Sequence, residues 1–180
     1  MLIDAERSML LVIDVQAKLV PSVAEHAAVV ANIVWMIGAA QRIGIPVAAT
    51  EHYAKGLGPL IPAVRTLLPA TAIGAKNQFS AVAAQCLPGL PGYDRAQVVV
   101  VGMEAHVCVL QTALELLEDG KEVYVVADAI GSRATQDRHV ALTRMRDEGV
   151  RVVTREMAVF EWLGEAGTTL FRDVCRDFLR

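Results

Sequence analysis

Short apolar runs alternate with longer segments of helical spacing along most of the chain. Residues 9–15 read MLLVIDV, and a run this apolar is typical of a strand buried on both faces of a parallel sheet. Similar runs predict five further strands, at residues 47–51, 72–76, 97–101, 123–127 and 150–153.

The segments between these runs repeat apolar residues every three or four positions, which indicates helices with one buried face. The predicted helices span residues 22–42, 104–119 and 135–148, and each is followed closely by a glycine suited to end it: Gly44, Gly120 and Gly149. Thr154 and Thr168 are expected to cap two terminal helices. Residues 52–70 hold several glycines and prolines and predict a loop with at most one short helix.

The regular alternation of strand and helix predicts an α/β fold of three layers, Rossmann-like, with a six-stranded parallel sheet between two layers of helices. The chain has 180 residues, which suits one domain spanning residues 1–180. In open sheets of this kind the ligand binds beyond the carboxyl ends of the strands. The residues that directly follow each strand are therefore the candidates for function.

Composition excludes several classes of protein. Apolar residues make up 54% of the chain, which excludes intrinsic disorder and requires burial in a core or in a subunit interface. The 17 basic and 20 acidic residues give no basic excess, so nucleic acid is not an expected partner. No apolar stretch approaches the roughly 20 residues of a membrane span, so no membrane role is expected. Three cysteines and an acidic amino terminus without a signal peptide favour the reducing cytoplasm.

Polar and charged residues follow five of the predicted strands. In chain order they are Asp14; Glu51, His52 and Tyr53; Lys76, Asn77 and Gln78, with Phe79 next; Glu104, His106 and Cys108; and Asp128, Ser132 and Arg133. The sequence lacks the patterns G-x-G-x-x-G, H-E-x-x-H, C-x-x-C and G-x-S-x-G and has no phosphate-binding loop. Its four histidines are too scattered to indicate a metal site.

Cys108 is the most informative of these residues, because it lies in the first turn of a predicted helix. Free N–H groups and the positive end of the helix dipole stabilise a thiolate at such a position. Cys108 is therefore a candidate nucleophile, and a buried structural cysteine is the alternative. Cys86 and Cys175 have no comparable setting and are expected to be inert.

Asp14 and Lys76 are charged residues at the ends of apolar strands. A carboxylate at the position of Asp14 needs a partner, and it could act as a general base, bind a ribose or a metal, or cap a loop. A lysine is usually solvated, so Lys76 becomes functional only if Asp14 and Cys108 lie nearby. Its ammonium would then lower the pKa of both groups.

Three motifs, in this order, resemble the isochorismatase-like cysteine hydrolase superfamily. They are LLVIDVQAKLV with Asp14 and Gln16, Lys76 followed by NQFSA, and VVVVGMEAHVCVLQTALELLEDGKEVYVVADAIGSR with Cys108. The stretches TEHYAKGLGP and GMEAHVCVLQTALELL are most similar to the subgroup of isochorismatase domain-containing proteins. The resemblance covers residues 9–160.

The resemblance implies a sheet with strand order 3-2-1-4-5-6 and a catalytic triad of Asp14, Lys76 and Cys108. It also implies a cis peptide bond between Met103 and Glu104, with the N–H groups of Glu104 and Cys108 directed at one oxyanion. Members of the family commonly form homo-oligomers, so an assembly between a dimer and an octamer is expected.

The implied reaction is hydrolysis of a C–N bond in a small amide or ureide, without a cofactor. Asp14 would take the proton of Cys108, the sulfur would attack the carbonyl, and water would hydrolyse the thioester. The alternative on the same fold is a catalytically silent or moonlighting protein that binds a small molecule.

Differences between this sequence and the family's motifs narrow the expected activity. Nicotinamidases bind a metal through Asp-x-His and a later histidine, whereas this chain reads Thr50-Glu51-His52-Tyr53 and has no histidine in residues 54–105. No metal is therefore expected, and nicotinamidase activity is disfavoured. Isochorismatases proper need no nucleophilic cysteine, so the presence of Cys108 disfavours that activity too.

Four residues are expected to line the substrate pocket: Gln16, His52, Phe79 and Glu104. The Glu104 carboxylate could contact a polar, amine-bearing or ureido substrate, or it could instead point away and favour the helix through its dipole. Phe79 is a pocket wall or, equally, a core aromatic.

Overall fold

The computed structural model describes residues 1–179 and contains one six-stranded sheet in which every pairing is parallel. The strands lie in the order β3-β2-β1-β4-β5-β6, so the predicted fold class and the strand order implied by the resemblance are both confirmed. Their bounds are β1 Ser8–Ile13, β2 Val47–His52, β3 Ile73–Lys76, β4 Gln97–Met103, β5 Glu122–Gly131 and β6 Arg151–Val153.

Helices connect the strands and follow the last one. They are α1 His26–Ile43, α2 Ala54–Leu57, α3 Pro62–Arg65, α4 Leu110–Glu118, α5 Thr135–Asp147, α6 Arg155–Leu163 and α7 Thr169–Phe178. A π-helical turn, Ala105–Val109, precedes α4 without a break. None of the helices within residues 1–179 is both long enough and apolar enough to cross a bilayer.

The two faces of the sheet form two separate cores. Leu10 and Val12 of β1 point to the face that packs against α1, α6 and α7. Met9 and Leu11 of the same strand point to the opposite face, which packs against α4 and α5. Side chains alternate along a strand, so a strand buried on both sides is apolar at every position. The three-layer prediction is therefore confirmed.

Both predicted caps of the terminal helices are present. The Thr154 hydroxyl accepts a hydrogen bond of 3.3 Å from the Met157 N–H, and the Thr168 hydroxyl accepts one of 3.0 Å from the Phe171 N–H. Gly44 ends α1 in the left-handed conformation, as predicted. These three helix ends could be predicted from the sequence, because capping depends only on residues that are neighbours along the chain.

Two boundaries differ from the prediction near the site. The first long helix begins at His26 and not at residue 22, because residues 20–22 form a separate 3₁₀ turn and Glu25 is left-handed with φ +53°. The predicted loop at residues 52–70 contains two four-residue helices, α2 and α3. A proline at the first position of α3 suits a helix start, where its missing N–H costs nothing.

The fifth strand extends beyond its predicted end at residue 127. The pairing of β4 with β5 shifts register between Val100, which lies opposite Val125, and Gly102, which lies opposite Ile130. Asp128 therefore lies within β5 and does not follow it, and its carboxylate accepts a 2.9 Å hydrogen bond from the Arg155 N–H. Asp128 interrupts the apolar run in the sequence, so the pattern predicted the end of the strand at residue 127, whereas the irregular pairing with β4 lets β5 continue to Gly131.

Strands β1 and β4 approach very closely at their carboxyl ends. Ile13 pairs with Gly102, and a Cβ atom on Gly102 would lie 2.2 Å from the Ile13 carbonyl oxygen. Gly102 also has φ +124°, a conformation that other residues rarely adopt. Glycine at this position lets the residues that follow β1 and β4 meet at one edge of the sheet.

Candidate active site

The three residues of the expected triad follow three strands of the sheet. Asp14 directly follows β1 and is left-handed with φ +50°, Lys76 is the last residue of β3, and Cys108 lies in the π-helical turn after β4. Because β1 is central, side chains at its carboxyl end can be reached from strands on either side.

Asp14 and Lys76 form a buried ion pair. The Lys76 Nζ donates to Asp14 Oδ2 at 2.6 Å, and neither side chain is accessible to solvent. Nζ also donates to the Phe79 carbonyl oxygen at 2.9 Å, and the Thr50 hydroxyl donates to Asp14 Oδ1 at 2.6 Å. A buried charge is tolerable only when paired and hydrogen-bonded, and these contacts meet both requirements.

The buried thiol of Cys108 lies close enough to this pair for both charges to act on it. Burial raises the pKa of Cys108 to about 12, the Asp14 charge raises it as well, and the Lys76 charge opposes them. Lys76 lowers the pKa of Cys108, as expected, but burial and the Asp14 charge raise it by more, so the net shift is upward. Desolvation in the enclosed turn outweighs the favourable charge of Lys76, and this favours the protonated form of the thiol.

The backbone just before Cys108 has an unusual geometry. The peptide bond between Met103 and Glu104 is cis. The Glu104 carbonyl oxygen accepts from the N–H groups of Val107 and Val109, which holds the start of the π-helical turn. The Glu104 N–H donates no hydrogen bond to any residue within 1–179, so it is free to bind an oxygen atom of a ligand.

A cavity of about 460 Å³ opens at Cys108. Three of the four residues predicted for the substrate pocket line it: His52, Phe79 and Glu104. Its volume falls within the roughly 300–1,000 Å³ common for small-molecule sites.

Gln16, the fourth predicted pocket residue, is completely buried and does not line the cavity. Its amide nitrogen donates to the carbonyl oxygens of His52 at 2.9 Å and Gly58 at 2.6 Å, and its amide oxygen accepts from the His52 N–H at 2.7 Å. All these contacts are to backbone atoms of His52 and Gly58. Gln16 thus positions His52.

The Glu104 side chain faces the cavity and makes no capping hydrogen bond to its helix. Its Oε1 accepts from the Arg133 backbone N–H at 3.1 Å and from Arg133 Nε at 2.9 Å. Of the two alternatives for Glu104, the structure favours the one in which the carboxylate can reach a bound molecule.

His52 and Phe79 form one wall of the cavity. Their rings lie 5.3 Å apart at 40°, and Phe79 is 50% exposed, so it is not a core aromatic. Burial and the charge of Lys76 lower the pKa of His52, while Asp14 opposes them. The His52 Nδ1 atom is buried and has no hydrogen-bond partner within residues 1–179.

Other polar residues predicted at strand ends have local structural contacts. Glu51 accepts from the Leu60 N–H at 2.8 Å, and His106 Nδ1 lies 2.9 Å from the Ser132 hydroxyl. Cys86 lies outside the cavity, with its thiol 3.5 Å from the Ala81 carbonyl oxygen, and burial raises its pKa. No group of three or more His, Cys, Asp or Glu side chains in residues 1–179 is arranged to hold a metal ion.

Sequence reasoning missed several residues of the site. Thr50, the second partner of Asp14, reads as one more small residue in the run VAATEH. Lys18, Leu57 and Val107 also line the cavity. All three lie within the motifs and stretches that resemble the family, but none was predicted as a pocket residue, because a motif does not show which of its side chains face a cavity. Only the pairing register could have indicated Thr50, because Ile13 lies opposite it and Asp14 follows Ile13.

The sequence profile of the isochorismatase domain matches residues 8–157. The chain belongs to the isochorismatase family. It is 35% identical over 175 residues to isochorismatase domain-containing protein 2 of Danio rerio, covering 96% of this chain and 87% of the relative.

Two solved structures of similar proteins agree with membership of the isochorismatase family. The MAR1 ribonuclease of Caenorhabditis elegans has a TM-score of 0.89 at 34% identity, covering 100% of this chain and 93% of that one. The YcaC gene product of Escherichia coli, described as an octameric hydrolase of unknown specificity, has a TM-score of 0.86 at 25% identity. That match covers 91% of this chain and 83% of that one.

Proposed function

We propose that this member of the isochorismatase family is a cysteine hydrolase that cleaves a C–N bond in a small amide or ureide. The observation that supports this is a buried ion pair, Asp14 with Lys76, next to a cysteine that opens onto a small cavity. A buried acceptor, a buried cation and a thiol are the groups that nucleophilic acyl transfer requires.

In the first step the Cys108 sulfur attacks the substrate carbonyl carbon while its proton passes to Asp14. The raised pKa of Cys108 favours loss of this proton during the attack rather than before it. The carbonyl oxygen becomes an oxyanion, which the N–H groups of Glu104 and Cys108 bind. Donors fixed in position before the reaction stabilise such charge most effectively.

In the second step the C–N bond breaks and Asp14 returns the proton to the leaving nitrogen. The acyl group remains on Cys108 as a thioester. Water, activated by Asp14, then attacks the thioester and releases a carboxylic acid and the free thiol. Lys76 stays protonated throughout, and its ammonium offsets the negative charge of the developing thiolate.

RNA is a second candidate substrate, because a similar structure is that of a ribonuclease. The chain carries net charge −3, and phosphate backbones are bound through an excess of Lys and Arg. The observations therefore favour a small molecule. A protein that binds this molecule without turnover is the remaining alternative.

The proposal includes assembly into a homo-oligomer. The E. coli relative is an octamer, and this chain exposes about half of both Tyr53 and Phe79 near the cavity. Exposed aromatic residues are enriched at subunit interfaces. Light scattering on the purified protein measures the assembly directly.

The experiment that tests the function detects the covalent intermediate. The protein is incubated with a panel of small amides and ureides, quenched in acid, and analysed for an acyl group on Cys108 by mass spectrometry. Ammonia or amine release is followed in parallel, and an RNA oligonucleotide is included in the panel. The proposal expects acylation and release in the wild type and neither in Cys108→Ala.

Asp14→Asn is the second variant, because it retains a hydrogen-bonding side chain but cannot accept the proton. It should bind substrate and fail to acylate. Cleavage of RNA in place of any amide, or turnover that survives Cys108→Ala, would overturn the proposal. Specific binding of an amide without acylation would favour the binding-protein alternative.

A further inference from the structure

We infer that Glu104, Arg133 and Lys18 select amides that carry an N–H group at the scissile bond and a carboxylate at the far end. The inference rests on the proposed function and adds the class of substrate to it. It starts from three charged side chains that line the same cavity as Cys108.

Glu104 supplies an unused acceptor at the reacting end of the cavity. Both hydrogen bonds to its side chain reach Oε1, and Oε2 accepts none from residues 1–179. The side chain is only 8% exposed, and the backbone N–H of the same residue has no acceptor within residues 1–179. A nearly buried carboxylate oxygen gains most from an N–H donor, because water reaches it poorly.

The carbonyl and the nitrogen of an amide suit this arrangement together. The Glu104 N–H can bind the carbonyl oxygen, while Oε2 of the same residue can accept the amide N–H. An ester or a tertiary amide offers no such N–H and would leave Oε2 without a donor. Glu104 is therefore expected to discriminate in favour of primary and secondary amides and ureides.

Arg133 and Lys18 supply positive charge at the rim. Arg133 uses its Nε atom for Glu104, while Nη1 and Nη2 make no hydrogen bond within residues 1–179, and its side chain is 62% exposed. Lys18 is exposed and lines the same cavity. The charge of Arg133 offsets that of Glu104, so Lys18 leaves the lining with a net charge of about +1, which favours an anionic ligand.

Apolar side chains lie between the two ends. Leu19, Leu57 and Val107 line the cavity beside Phe79. A short hydrocarbon linker would pack against them while its ends meet the polar groups. The lining thus fits an amide or ureide joined by a short carbon chain to a carboxylate.

The experiment compares alkylating probes that differ in one feature each. N-iodoacetyl-β-alanine and N-propyl-iodoacetamide differ in the terminal charge, and N-propyl-iodoacetamide and its N-methyl derivative differ in the N–H. Rates of Cys108 modification at pH 8.5 are divided by the rates with β-mercaptoethanol, which removes differences in intrinsic reactivity.

The wild type should prefer the N–H probe by roughly 10- to 100-fold, the range for a hydrogen bond to a charged group. It should prefer the carboxylate probe by roughly two- to fivefold, since charges at an exposed rim are partly screened. Added salt at 0.5 M should weaken the second preference and leave the first.

Variants assign each preference to its residue. Glu104→Gln should reduce the N–H preference without weakening the charge preference, because the Arg133 charge is then no longer offset. Lys18→Met should reduce only the charge preference. Arg146→Met is the matched control, because it removes the same charge from an exposed position on α5 outside the cavity. Lys18 is exposed, so its replacement leaves the fold intact.

Equal normalised rates for all three probes in the wild type would overturn the inference, and Cys108 modification would still agree with the proposed function. A charge preference that Arg146→Met reduces as much as Lys18→Met would show a general field effect and would also overturn it. If no probe modifies Cys108 even slowly, the proposed nucleophile itself is wrong, so the two failures are distinguishable.

Discussion

The Thr50 hydroxyl donates a 2.6 Å hydrogen bond to Oδ1 of Asp14, the carboxylate oxygen that Lys76 leaves free. Thr50 lies in β2 opposite Ile13, one residue before Asp14, and both side chains are buried. Each oxygen of the carboxylate therefore has its own donor. Thr50 thus fixes the orientation of the Asp14 carboxylate together with Lys76.

Replacing Thr50 with valine keeps the shape of the side chain and removes the donor. We expect a loss of about 1–3 kcal/mol in the free energy of unfolding, because Oδ1 stays buried without its partner. Chemical denaturation measures this. Thr50→Ser, which retains the hydroxyl, should recover most of the loss, and equal stability of the valine variant and the wild type would contradict the assignment.

The pH dependence of Cys108 alkylation follows from its raised pKa of about 12. Only the thiolate reacts, so the rate with iodoacetamide should rise about tenfold per pH unit from pH 6 to 9.5 without a plateau. It should also stay below the rate for the same cysteine in urea. Peptide mapping by mass spectrometry separates Cys108 from the other two cysteines, and a plateau below pH 8 would indicate a resting thiolate.

The Asp14–Lys76 ion pair should show strong energetic coupling. Lys76→Met leaves a buried carboxylate without its cation, and we expect destabilisation of about 3–5 kcal/mol. Asp14→Asn together with Lys76→Met should be less destabilised than the sum of the single variants, because neither charge is left alone. Denaturation of the four proteins gives the coupling energy, and simple additivity would mean that the two charges do not interact.

The close approach of β1 and β4 requires glycine at position 102. A Cβ atom there would lie 2.2 Å from the Ile13 carbonyl oxygen and 2.6 Å from its nitrogen, which are backbone atoms that cannot move aside. Gly102→Ala should therefore lower the melting temperature sharply or prevent folding.

Gly120→Ala is the matched control, since Gly120 also has positive φ but has nothing within 4 Å of a Cβ atom. It should cost only the backbone strain, about 1–2 kcal/mol. Similar losses of melting temperature in the two variants would show that conformation alone, and not the contact with Ile13, requires glycine.

His52 should make stability depend on pH on the acid side. Its folded-state pKa is lowered by burial and by the Lys76 charge, so the unfolded chain takes up the proton first as the pH falls. The stabilisation that comes from keeping His52 neutral is present above about pH 6.5, the pKa of histidine in the unfolded chain. It is lost as the pH falls from there through the lower pKa of His52 in the folded protein.

Denaturation between pH 5 and 8 tests this for wild type and His52→Gln. The variant should lose less stability on acidification, while His139→Gln, which alters an exposed residue of α5, should behave as the wild type does. Parallel curves for the wild type and His52→Gln would show that His52 stays as easily protonated in the fold as in the unfolded chain.

Much of the site could be predicted because parallel sheets place their functional residues at one kind of position. Asp14, Lys76 and Cys108 each follow an apolar run, and an apolar run is visible in the sequence whatever the rest of the chain does. Gln16 follows the same strand as Asp14, yet it binds backbone atoms and does not line the cavity. The position of a residue after a strand therefore identifies it as a candidate functional residue, but does not show whether its side chain faces the cavity.

The length of β5 and the hydrogen bond of Thr50 to Asp14 could not be predicted from the local sequence pattern, because both depend on pairing between strands. The register shift that carries β5 past Asp128 depends on its pairing with β4, which is distant in sequence. The only polar group of the Thr50 side chain is its hydroxyl. Whether this hydroxyl can donate to Asp14 depends on which residue of β1 lies opposite Thr50.

The sequence by itself determined the six strands, the three layers, the helix caps and the identity of the charged and sulfur groups at the strand ends. Local periodicity and capping need no information from elsewhere in the chain. The tertiary structure alone decided which of these groups meet, how deeply they are buried and therefore how Cys108 titrates. Burial sets the cost of a charge, and burial is a property of packing between residues that the chain brings together from far apart.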